Sequence, residues 1–267
     1  MEPQQTTAAA TAPLPLLDRV AIVTGASRGI GKQIALHLSS LGAKLVINYT
    51  TPSSKPLADN LVAHLNAAAT TTRAVAFQSD ISDPTQVTSL FDFAEHSFGT
   101  QPHIVVTSAG VIDTKYPAIA DTDVADFDRI FAVNARGTFL CMKEAARRVK
   151  RGGGGRIVTV SSSLAAVYRA RYGAYTASKA AVEAMTKILA KELKGTGITV
   201  NSVAPGPVET EMFYEGKTEE MVKRAVDESP LGRLGKVEDV APLVGFLVGD
   251  SGEWVNGQIV RINGGYV

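Results

Sequence analysis

The chain has 267 residues, of which 45% are hydrophobic and 20% charged, and its net charge is +1. These values suit a soluble globular domain with a large core, and they give no excess of positive charge that would attract nucleic acid or an anionic membrane. No apolar run approaches the ~18 residues that a membrane-spanning helix needs. The single cysteine, Cys141, excludes an internal disulfide and indicates a reducing compartment.

The first fifteen residues are rich in Ala, Thr, Gln and Pro. This composition predicts a flexible tail over residues 1–17, followed by one domain over residues 18–267. The tail has no Lys or Arg and no apolar signal core, which argues against a secretory signal and, less strongly, against an organellar transit peptide. We therefore expect a cytoplasmic protein.

Short runs of β-branched residues alternate with longer helical patterns along the rest of the chain. We predict strands at 20–24, 44–48, 74–77, 103–107, 156–160, 198–203 and 258–262. We predict helices at 29–41, 57–69, 84–98, 123–150, 174–193 and 237–249. Nearly continuous apolar strands that alternate with helices are typical of an α/β fold, in which helices cover both faces of a parallel sheet.

The segment from Thr24 to Gly31 is rich in glycine and lies between the first predicted strand and the first helix. Gly25 permits a tight turn, and Gly29 and Gly31 permit close approach of a ligand. Backbone amides at the start of a helix can then face a pyrophosphate. The segment therefore predicts a dinucleotide site, and the alternative is an ordinary helix start with glycines in its turn.

The end of the second predicted strand, Ile47 to Thr51, contains no carboxylate. An NAD site usually has an acid there to hold the ribose 2′-hydroxyl. Arg28 lies inside the glycine turn, where a guanidinium can pair with a 2′-phosphate. The hydroxyls of Thr50, Thr51 and Ser53 can add hydrogen bonds. We predict NADP(H) rather than NAD(H), and the alternative for Arg28 is a solvated surface charge.

A tyrosine and a lysine, Tyr175 and Lys179, are four positions apart and would share one face of a helix. A positive charge near a phenol favours the phenolate and lowers the phenol's pKa. Alone, this pair fits an ordinary surface helix better than a catalytic site. Ser162, thirteen positions before Tyr175, and the upstream glycine turn favour a proton-donating site.

Taken together, these motifs resemble those of the short-chain dehydrogenase/reductase family. The matching residues, in chain order, are Thr24-Gly25-x-x-x-Gly29-x-Gly31, Asp80, Ser108-Ala109-Gly110, Asn134, Ser162, Tyr175-x-x-x-Lys179, Pro205-Gly206 and Thr210. The family often has Asn-Asn-Ala-Gly after its fourth strand, where this chain has Thr107-Ser108-Ala109-Gly110. The resemblance implies a single-domain, Rossmann-like, doubly wound parallel sheet of about seven strands.

The resemblance also implies roles for individual residues. Ser162 would donate a hydrogen bond to the substrate oxygen, and Tyr175 would act as general acid. Lys179 would lower the pKa of Tyr175 and bind the nicotinamide ribose. Asn134 would hold a proton-relaying water, with a local helix kink as the alternative. The implied cofactor contacts are Gly25, Ser27, Arg28, Gly29, Ile30, Gly31, Tyr49, Thr50, Thr51, Asp80, Ile81, Ser108, Ala109, Gly110, Tyr175, Lys179, Pro205, Gly206, Val208 and Thr210.

The substrate pocket is expected beyond the carboxyl ends of the strands, among loops 111–120, 164–172 and 207–227. The last loop is highly charged and predicts a mobile lid. The aromatic candidates for the pocket walls are Tyr116, Tyr168, Tyr172, Phe213 and Tyr214. We interpret Arg169 and Arg171 as solvated surface charges, and the alternative is that they attract an anionic substrate.

We expect an NADPH-dependent enzyme that reduces an aldehyde or ketone to an alcohol. The alternatives are a 3-oxoacyl-(acyl carrier protein) reductase, an NADP-dependent alcohol dehydrogenase, and a catalytically silent cofactor-binding scaffold. The scattered histidines predict no metal site, and we expect neither nucleic acid nor membrane as a partner. By resemblance we expect a homotetramer or homodimer, with residues 259–267 at a subunit contact.

Overall fold

In residues 14–67 and 69–267, the part of the chain that the computed structural model describes, seven strands form one parallel sheet. The strands are β1 Val20–Thr24, β2 Lys44–Tyr49, β3 Ala74–Gln78, β4 Ile104–Thr107, β5 Gly155–Val160, β6 Ile198–Pro205 and β7 Ile259–Ile262. Their order in the sheet is β3-β2-β1-β4-β5-β6-β7. The predicted α/β class and parallel sheet are therefore confirmed.

Helices connect the strands. They are α1 Gly29–Ser40, α2 Lys55–Asn66, α3 Pro84–Phe98, α4 Val124–Ile130, α5 Thr138–Arg148, α6 Leu164–Val167, α7 Gly173–Glu192, α8 Glu211–Tyr214, α9 Glu219–Asp227 and α10 Val237–Val248. Short 3₁₀ turns lie at Pro52–Ser54, Ile119–Asp121 and Asp250–Gly252.

Two hydrophobic clusters lie on opposite faces of the sheet. Along β1, Ala21 and Val23 belong to the cluster formed with α1, α2 and α10, whereas Ile22 belongs to the cluster formed with α3, α5 and α7. This alternation follows from the geometry of a strand, whose successive side chains point to opposite faces. Because both faces are covered, the central strands β1, β4, β5 and β6 are buried along their whole length.

The direction in which strands are added to the sheet reverses between β1 and β4. Chains leaving these two neighbouring strands diverge, and in open α/β sheets ligands bind in the resulting crevice. The Thr24 hydroxyl joins the end of β1 to the segment after β4 at this crevice. It accepts hydrogen bonds from the backbone N–H groups of Ser108 and Ala109 at 3.1 and 3.2 Å.

The single helix predicted over 123–150 is wrong. A π-helical segment, Phe131–Gly137, separates α4 from α5. Asn134 bonds to the backbone of Val111 from the middle of this segment, and a Cβ on Gly137 would approach the Ile81 side chain to 2.8 Å. Such contacts accompany π segments at functional sites and leave little trace in hydrophobic periodicity. The short helices α6, α8 and α9 were also not predicted.

Most of the predicted tail, residues 1–13, lies outside the described residues. Its last part belongs to the domain: Leu16 is fully buried in the core, and its N–H donates to the Leu41 carbonyl at 2.8 Å. The predicted boundary at residue 17 therefore lies too late, because three leucines in a short Pro-containing segment give no periodic signal. Among the described residues, no helix combines the length and apolarity needed to cross a bilayer.

Candidate active site

A cavity of about 1460 Å³ lies beyond the carboxyl ends of β1, β4, β5 and β6. It runs from the glycine turn after β1 to the first turn of α7, and the segment from Pro207 to Glu228 covers part of it. Every cofactor contact implied by the sequence lines this cavity, and so do Ser162, Tyr175 and Lys179. Asn134 lies behind the cavity wall, and Ser54 rather than Ser53 lines it.

The glycine turn is shaped for close approach. Gly25 and Gly29 have φ values of 62° and 57°, in the left-handed region that favours glycine. A Cβ on Gly25 would come within 2.7 Å of the Ala109 Cα, and a Cβ on Gly31 would clash with the Gly25 carbonyl oxygen. No side chain caps the start of α1. Its first N–H groups and its dipole therefore suit an anion, and this turn fits a dinucleotide pyrophosphate.

Arg28 lies at the mouth of the cavity, where its guanidinium pairs with the Glu211 carboxylate at 2.9 Å. Both side chains are well exposed to solvent, so the ion pair is weak. A guanidinium in this position can exchange a carboxylate for a phosphate at small cost. The arginine is therefore not a solitary surface charge, because it connects the glycine turn to α8.

The sequence interpretation missed Asn48, the buried side chain that joins three strand ends. Its Oδ1 accepts from the Gly25 N–H at 3.2 Å, and its Nδ2 donates to the Ser79 Oγ at 2.8 Å and to the Ser79 carbonyl at 3.0 Å. Asparagine within an otherwise apolar strand was the available signal. The bonds position the glycine turn against β2 and the segment after β3.

Tyr175 and Lys179 lie on one face of α7, and Ser162 follows the end of β5. The Lys179 Nζ is 5.8 Å from the centre of the Tyr175 ring and donates to the Val160 carbonyl at 2.8 Å. Ser162 lies close enough to Tyr175 for its hydroxyl to affect the pKa of the phenol. The structure thus brings together the serine, tyrosine and lysine that the sequence singled out.

The expected lowering of the Tyr175 pKa by Lys179 is not found. Burial raises the pKa of Tyr175 to about 12, and the interaction with the Ser162 hydroxyl only partly opposes this rise. Burial also lowers the pKa of Lys179 to about 8. The physical reason is that Lys179 is buried and Tyr175 is partly buried in the cavity wall, where desolvation disfavours the charged form of each.

The serines on either side of Ser162 make bonds away from the reacting groups. Ser161 donates to the Glu183 carboxylate at 2.9 Å, and Ser163 donates to the Ala204 carbonyl at 3.0 Å. Only Ser162 of the three has a side chain that is not buried. This difference in burial supports Ser162 as the serine of the three that meets a ligand.

Asn134 connects the π segment to α7. Its Oδ1 accepts from the Val111 N–H at 2.8 Å, and its Nδ2 donates to the Val111 carbonyl at 2.9 Å and to the Ser178 Oγ at 3.1 Å. Ser178 in turn donates to the Tyr175 carbonyl at 2.7 Å. These bonds join the Asn134 side chain to the backbone at Val111 and, through Ser178, to α7, and its expected role in holding a water stays a prediction. Sequence interpretation missed Ser178, although it lies between Tyr175 and Lys179.

Asp80 follows the end of β3, and Thr107 lies at the end of β4. The Asp80 carboxylate accepts from the Ser82 N–H and hydroxyl, both at 2.8 Å, so it forms a local turn while also lining the cavity. The Thr107 hydroxyl at the end of β4 is buried without a hydrogen-bond partner among the described residues.

Aromatic side chains form part of the other end of the cavity. Tyr116, Tyr172 and Phe213 line it as predicted. Tyr168 and Tyr214 do not, because their side chains are 73% and 46% exposed and face solvent.

Arg169 is not the solvated charge that was predicted. It forms an ion pair with Glu228 and lies over the ring of Tyr266, 5.6 Å from the ring centre. Arg171, by contrast, is exposed. Within the described ranges, no group of three His, Cys, Asp or Glu side chains is arranged to hold a metal ion.

Comparisons with known proteins agree with this geometry. A family model described as enoyl-(acyl carrier protein) reductase matches residues 25–267. An NADPH-dependent aldehyde reductase-like protein, chloroplastic, from Arabidopsis thaliana is 57% identical over 96% of both chains. A short-chain type dehydrogenase/reductase from Picea abies is 58% identical over 93% of this chain and 92% of its own. A putative dehydrogenase from Burkholderia cenocepacia with bound NADP superposes with a TM-score of 0.88 at 34% identity, over 96% of both chains.

The expectation of a cytoplasmic location is contradicted, because the Arabidopsis relative is named as chloroplastic. The expectation rested on a single cysteine and on the charge of the first residues, and neither property distinguishes one reducing compartment from another. The fold, the ordered motifs and the extent of the matches agree on the class of protein. The chain belongs to the short-chain dehydrogenase/reductase family.

Proposed function

We propose that the protein reduces an aldehyde or ketone to an alcohol with NADPH, and that Tyr175 is the general acid. The observation that carries the proposal is that Ser162, Tyr175 and Lys179 meet in the cavity that continues from the glycine turn. The Arabidopsis relative, which is named as an NADPH-dependent aldehyde reductase-like protein, supports this choice of reaction and cofactor.

The residues of the chain bind the carbonyl, stabilise the charge that develops on it and donate a proton to it. NADPH, when bound, supplies the hydride that adds to the carbonyl carbon. Ser162 donates a hydrogen bond to the carbonyl oxygen as negative charge develops there. Tyr175 then transfers its phenolic proton to that oxygen. Asn134 and Ser178 hold the first turn of α7 in place for this transfer.

The pKa of Tyr175 determines which form of the phenol is present. Burial raises this pKa to about 12, so the phenol keeps its proton at neutral pH and is present in the form that donates a proton to a carbonyl oxygen.

The glycine turn, Arg28 and Lys179 are the proposed cofactor-binding groups. The turn would hold the pyrophosphate at the start of α1, and Arg28 would bind the 2′-phosphate. Among the described residues, the Val160 carbonyl is the one protein acceptor of the Lys179 ammonium. Its other N–H groups remain for ribose hydroxyls.

Steady-state NADPH oxidation with a panel of small aldehydes, quinones, cyclic ketones and acetoacetyl thioesters tests the proposal. We expect turnover of aldehydes or ketones, with NADPH clearly preferred to NADH. Turnover confined to thioesters would favour the 3-oxoacyl-(acyl carrier protein) reductase alternative. NADPH binding without turnover of any carbonyl would indicate a cofactor-binding scaffold.

We infer that the protein assembles as a homotetramer or homodimer. Apolar side chains are exposed on α4, α5 and α7, and β7 at the edge of the sheet is only partly buried. The exposed apolar side chains are Val124, Phe127, Phe139 and Ile188. Light scattering of the full chain tests this inference, and a monomer at micromolar concentration would contradict it.

We infer a plastid location from the name of the Arabidopsis relative. Imaging of the full chain fused at its C-terminus to a fluorescent protein tests the location. Signal that coincides with chlorophyll autofluorescence is the expected result, and diffuse cytosolic signal would contradict it.

A further inference from the structure

One basic side chain in the cavity has no role in the chemistry described above. Lys217, between α8 and α9, lines the substrate end of the cavity and donates to the Tyr116 hydroxyl at 2.6 Å. Its Nζ lies 4.5 Å from the ring centre of Tyr116, 4.7 Å from that of Phe213 and 6.0 Å from that of Tyr172. An exposed lysine would extend into water, whereas this one lies against three aromatic rings.

The Lys217 ammonium forms no ion pair with any carboxylate in the described part of the chain. Several other cations of the cavity have carboxylate partners: Arg169 pairs with Glu228, which also pairs with Arg224, and Lys115 pairs with Asp126. Of the cations without one, Lys179 donates to the Val160 carbonyl, and Arg171 is exposed to solvent. Lys217 is therefore a partly buried positive charge whose neighbours are aromatic faces and one phenolic oxygen.

The position of Lys217 is fixed by the loop beneath it. Tyr116 is 4% exposed, has a φ of 50°, and donates its hydroxyl hydrogen to the Glu215 carbonyl at 2.9 Å. A Cβ on Gly216 would clash with the Thr114 carbonyl oxygen, so the two segments are in close contact there. A backbone held in this way presents the ammonium to the cavity at a constant place.

A fixed, partly desolvated cation without a counter-charge favours an anionic ligand. Burial, and secondarily the charge of Arg169, lowers the pKa of Lys217 to about 8, so the group still carries its charge at neutral pH. A compact ammonium with one bond to Tyr116 keeps further N–H donors for a ligand. A single such charge matches a carboxylate, whereas multiply charged phosphates usually require several cations.

We propose that Lys217 makes the enzyme selective for carbonyl substrates that also carry a carboxylate. The carboxylate would bind the Lys217 ammonium between Tyr116 and Phe213 while the carbonyl lies against Ser162 and Tyr175. This inference rests on the proposed function and adds a substrate class to it. The competing explanation is that Lys217 only fastens the segment after α8 to the loop that contains Tyr116.

The test compares 4-carboxybenzaldehyde with its neutral methyl ester, using the ratio of their kcat/KM values at pH 7. Lys217→Met removes the ammonium and keeps the aliphatic stem, and Lys217→Gln keeps a hydrogen-bond donor for Tyr116. We expect both variants to lower the acid-to-ester ratio about tenfold, which corresponds to about 1.4 kcal/mol. Equal losses on both substrates, or an unchanged ratio, would overturn the proposal.

Lys223→Met is the matched control. Lys223 is on α9, exposed, paired with Asp227 and absent from the cavity wall, so its removal changes the net charge equally. We expect its acid-to-ester ratio to equal that of the wild type. A similar fall in this variant would mean that long-range charge, rather than contact with Lys217, sets the ratio.

A binding measurement separates failure of this proposal from failure of the proposed function. Calorimetry on the NADP⁺-loaded protein compares 4-(hydroxymethyl)benzoate with its methyl ester, and neither ligand needs turnover. Tighter binding of the acid supports the role of Lys217 even if no carbonyl is reduced. If neutral aldehydes are reduced while wild-type protein binds the ester as tightly as the acid, the proposed function stands and this inference fails.

Discussion

At the residue scale, desolvation raises the pKa of Tyr175 and lowers the pKa of Lys179, the two side chains of α7 at the reacting end of the cavity. It keeps the Tyr175 phenol protonated, which favours proton donation, and it makes the Lys179 ammonium costly to bury. The hydrogen bond from Lys179 to the Val160 carbonyl offsets part of that cost. Ribose hydroxyls of the cofactor would offset more, so we expect cofactor binding to raise the pKa of Lys179.

The lowered pKa of Lys179 predicts a pH dependence of stability without cofactor. The group titrates near pH 8 when folded and near 10.5 when unfolded, so between these values the unfolded chain binds more protons. The free energy of unfolding should therefore gain a positive slope from Lys179 as pH rises from 8 to 10. The measurement is urea denaturation across this range for the wild type and Lys179→Met.

Between pH 8 and pH 10, the free energy of unfolding should rise less steeply with pH for Lys179→Met than for the wild type. Lys217 contributes to both proteins in the same direction and cancels in the comparison. Tyr175 has its pKa raised above 10, so its effect has the opposite sign and becomes important only above that pH. Parallel slopes for the two proteins would show that Lys179 is not desolvated as described.

Arg28 is the residue on which the choice of NADPH over NADH is predicted to depend. Its ion pair with Glu211 is exposed and weak, whereas a phosphate offers a stronger, charge-assisted bond to the guanidinium. Arg28→Ala should lower the NADPH-to-NADH ratio of kcat/KM by at least about tenfold, mainly through KM for NADPH. Glu211→Gln is the control, and we expect it to keep the preference. An unchanged ratio in Arg28→Ala would exclude Arg28 from 2′-phosphate binding.

At the element scale, the glycine turn depends on a neighbouring strand for its shape. Asn48 of β2 bonds to Gly25 and Ser79, and these bonds join the ends of β1, β2 and β3. Asn48→Ala should lower the free energy of unfolding by about 1–3 kcal/mol and also weaken NADPH binding, because the turn loses a support. Chemical denaturation and fluorescence titration with NADPH measure the two effects.

Asn66→Ala is the control for Asn48→Ala. Asn66, the last residue of α2, also has a side chain bonded to the backbone, at Arg73 and Ala74, but these bonds lie at the start of β3, away from the cavity. We expect this variant to lose stability and keep its affinity for NADPH. Equal weakening of NADPH binding in both variants would contradict a specific role for Asn48.

The covering segment from Pro207 to Glu228 is attached at both ends of the cavity. Near the glycine turn, Arg28 pairs with Glu211, and a Cβ on Gly29 would lie 3.6 Å from the Thr210 methyl. Near the substrate end, Lys217 bonds to Tyr116. A change at either end can therefore reach the other through α8, which makes this segment a connection between cofactor and substrate subsites.

The sequence was sufficient to predict the strands, because burial on both faces makes the central strands mostly apolar runs between turns, and the partly buried edge strands β3 and β7 are also mostly apolar. The sequence also predicted both ends of α3 to the residue, because Asp83 caps the start of this helix and Gly99 ends it with a φ of 66°. It was insufficient for the π segment and for α8 and α9, where tertiary contacts such as that of Asn134 with Val111 decide the backbone. The spacing of hydrophobic residues along the chain does not predict such contacts.

For the chemistry of the site, too, the sequence predicted what depends on local patterns and missed what depends on the fold. Residue types and spacing identified Ser162, Tyr175 and Lys179, because their pattern is local along the chain. The environment of those residues depends on the fold, so the raised pKa of Tyr175 had to be found from burial. Lys217 was missed because its partner, Tyr116, is distant in sequence.

At the scale of the whole molecule, the parallel sheet gathers the ends of β1, β4, β5 and β6 around one cavity. The half of the sheet before β4 contributes the glycine turn, and the half after it contributes Ser162 and α7. The hydride of NADPH and the proton must reach the same carbonyl. The first half of the sheet would bind the cofactor, and the second half contributes the residue that donates the proton. The central claim is that Tyr175 supplies the proton.

The most direct test of this claim measures NADPH oxidation and NADPH binding together in Tyr175→Phe. Removing a general acid should lower kcat for aldehyde reduction by about 10²- to 10⁴-fold. The affinity for NADPH by fluorescence titration should stay close to that of the wild type, because phenylalanine retains the ring and its packing. A Tyr175→Phe variant that binds NADPH and reduces aldehydes at the wild-type rate would contradict the account.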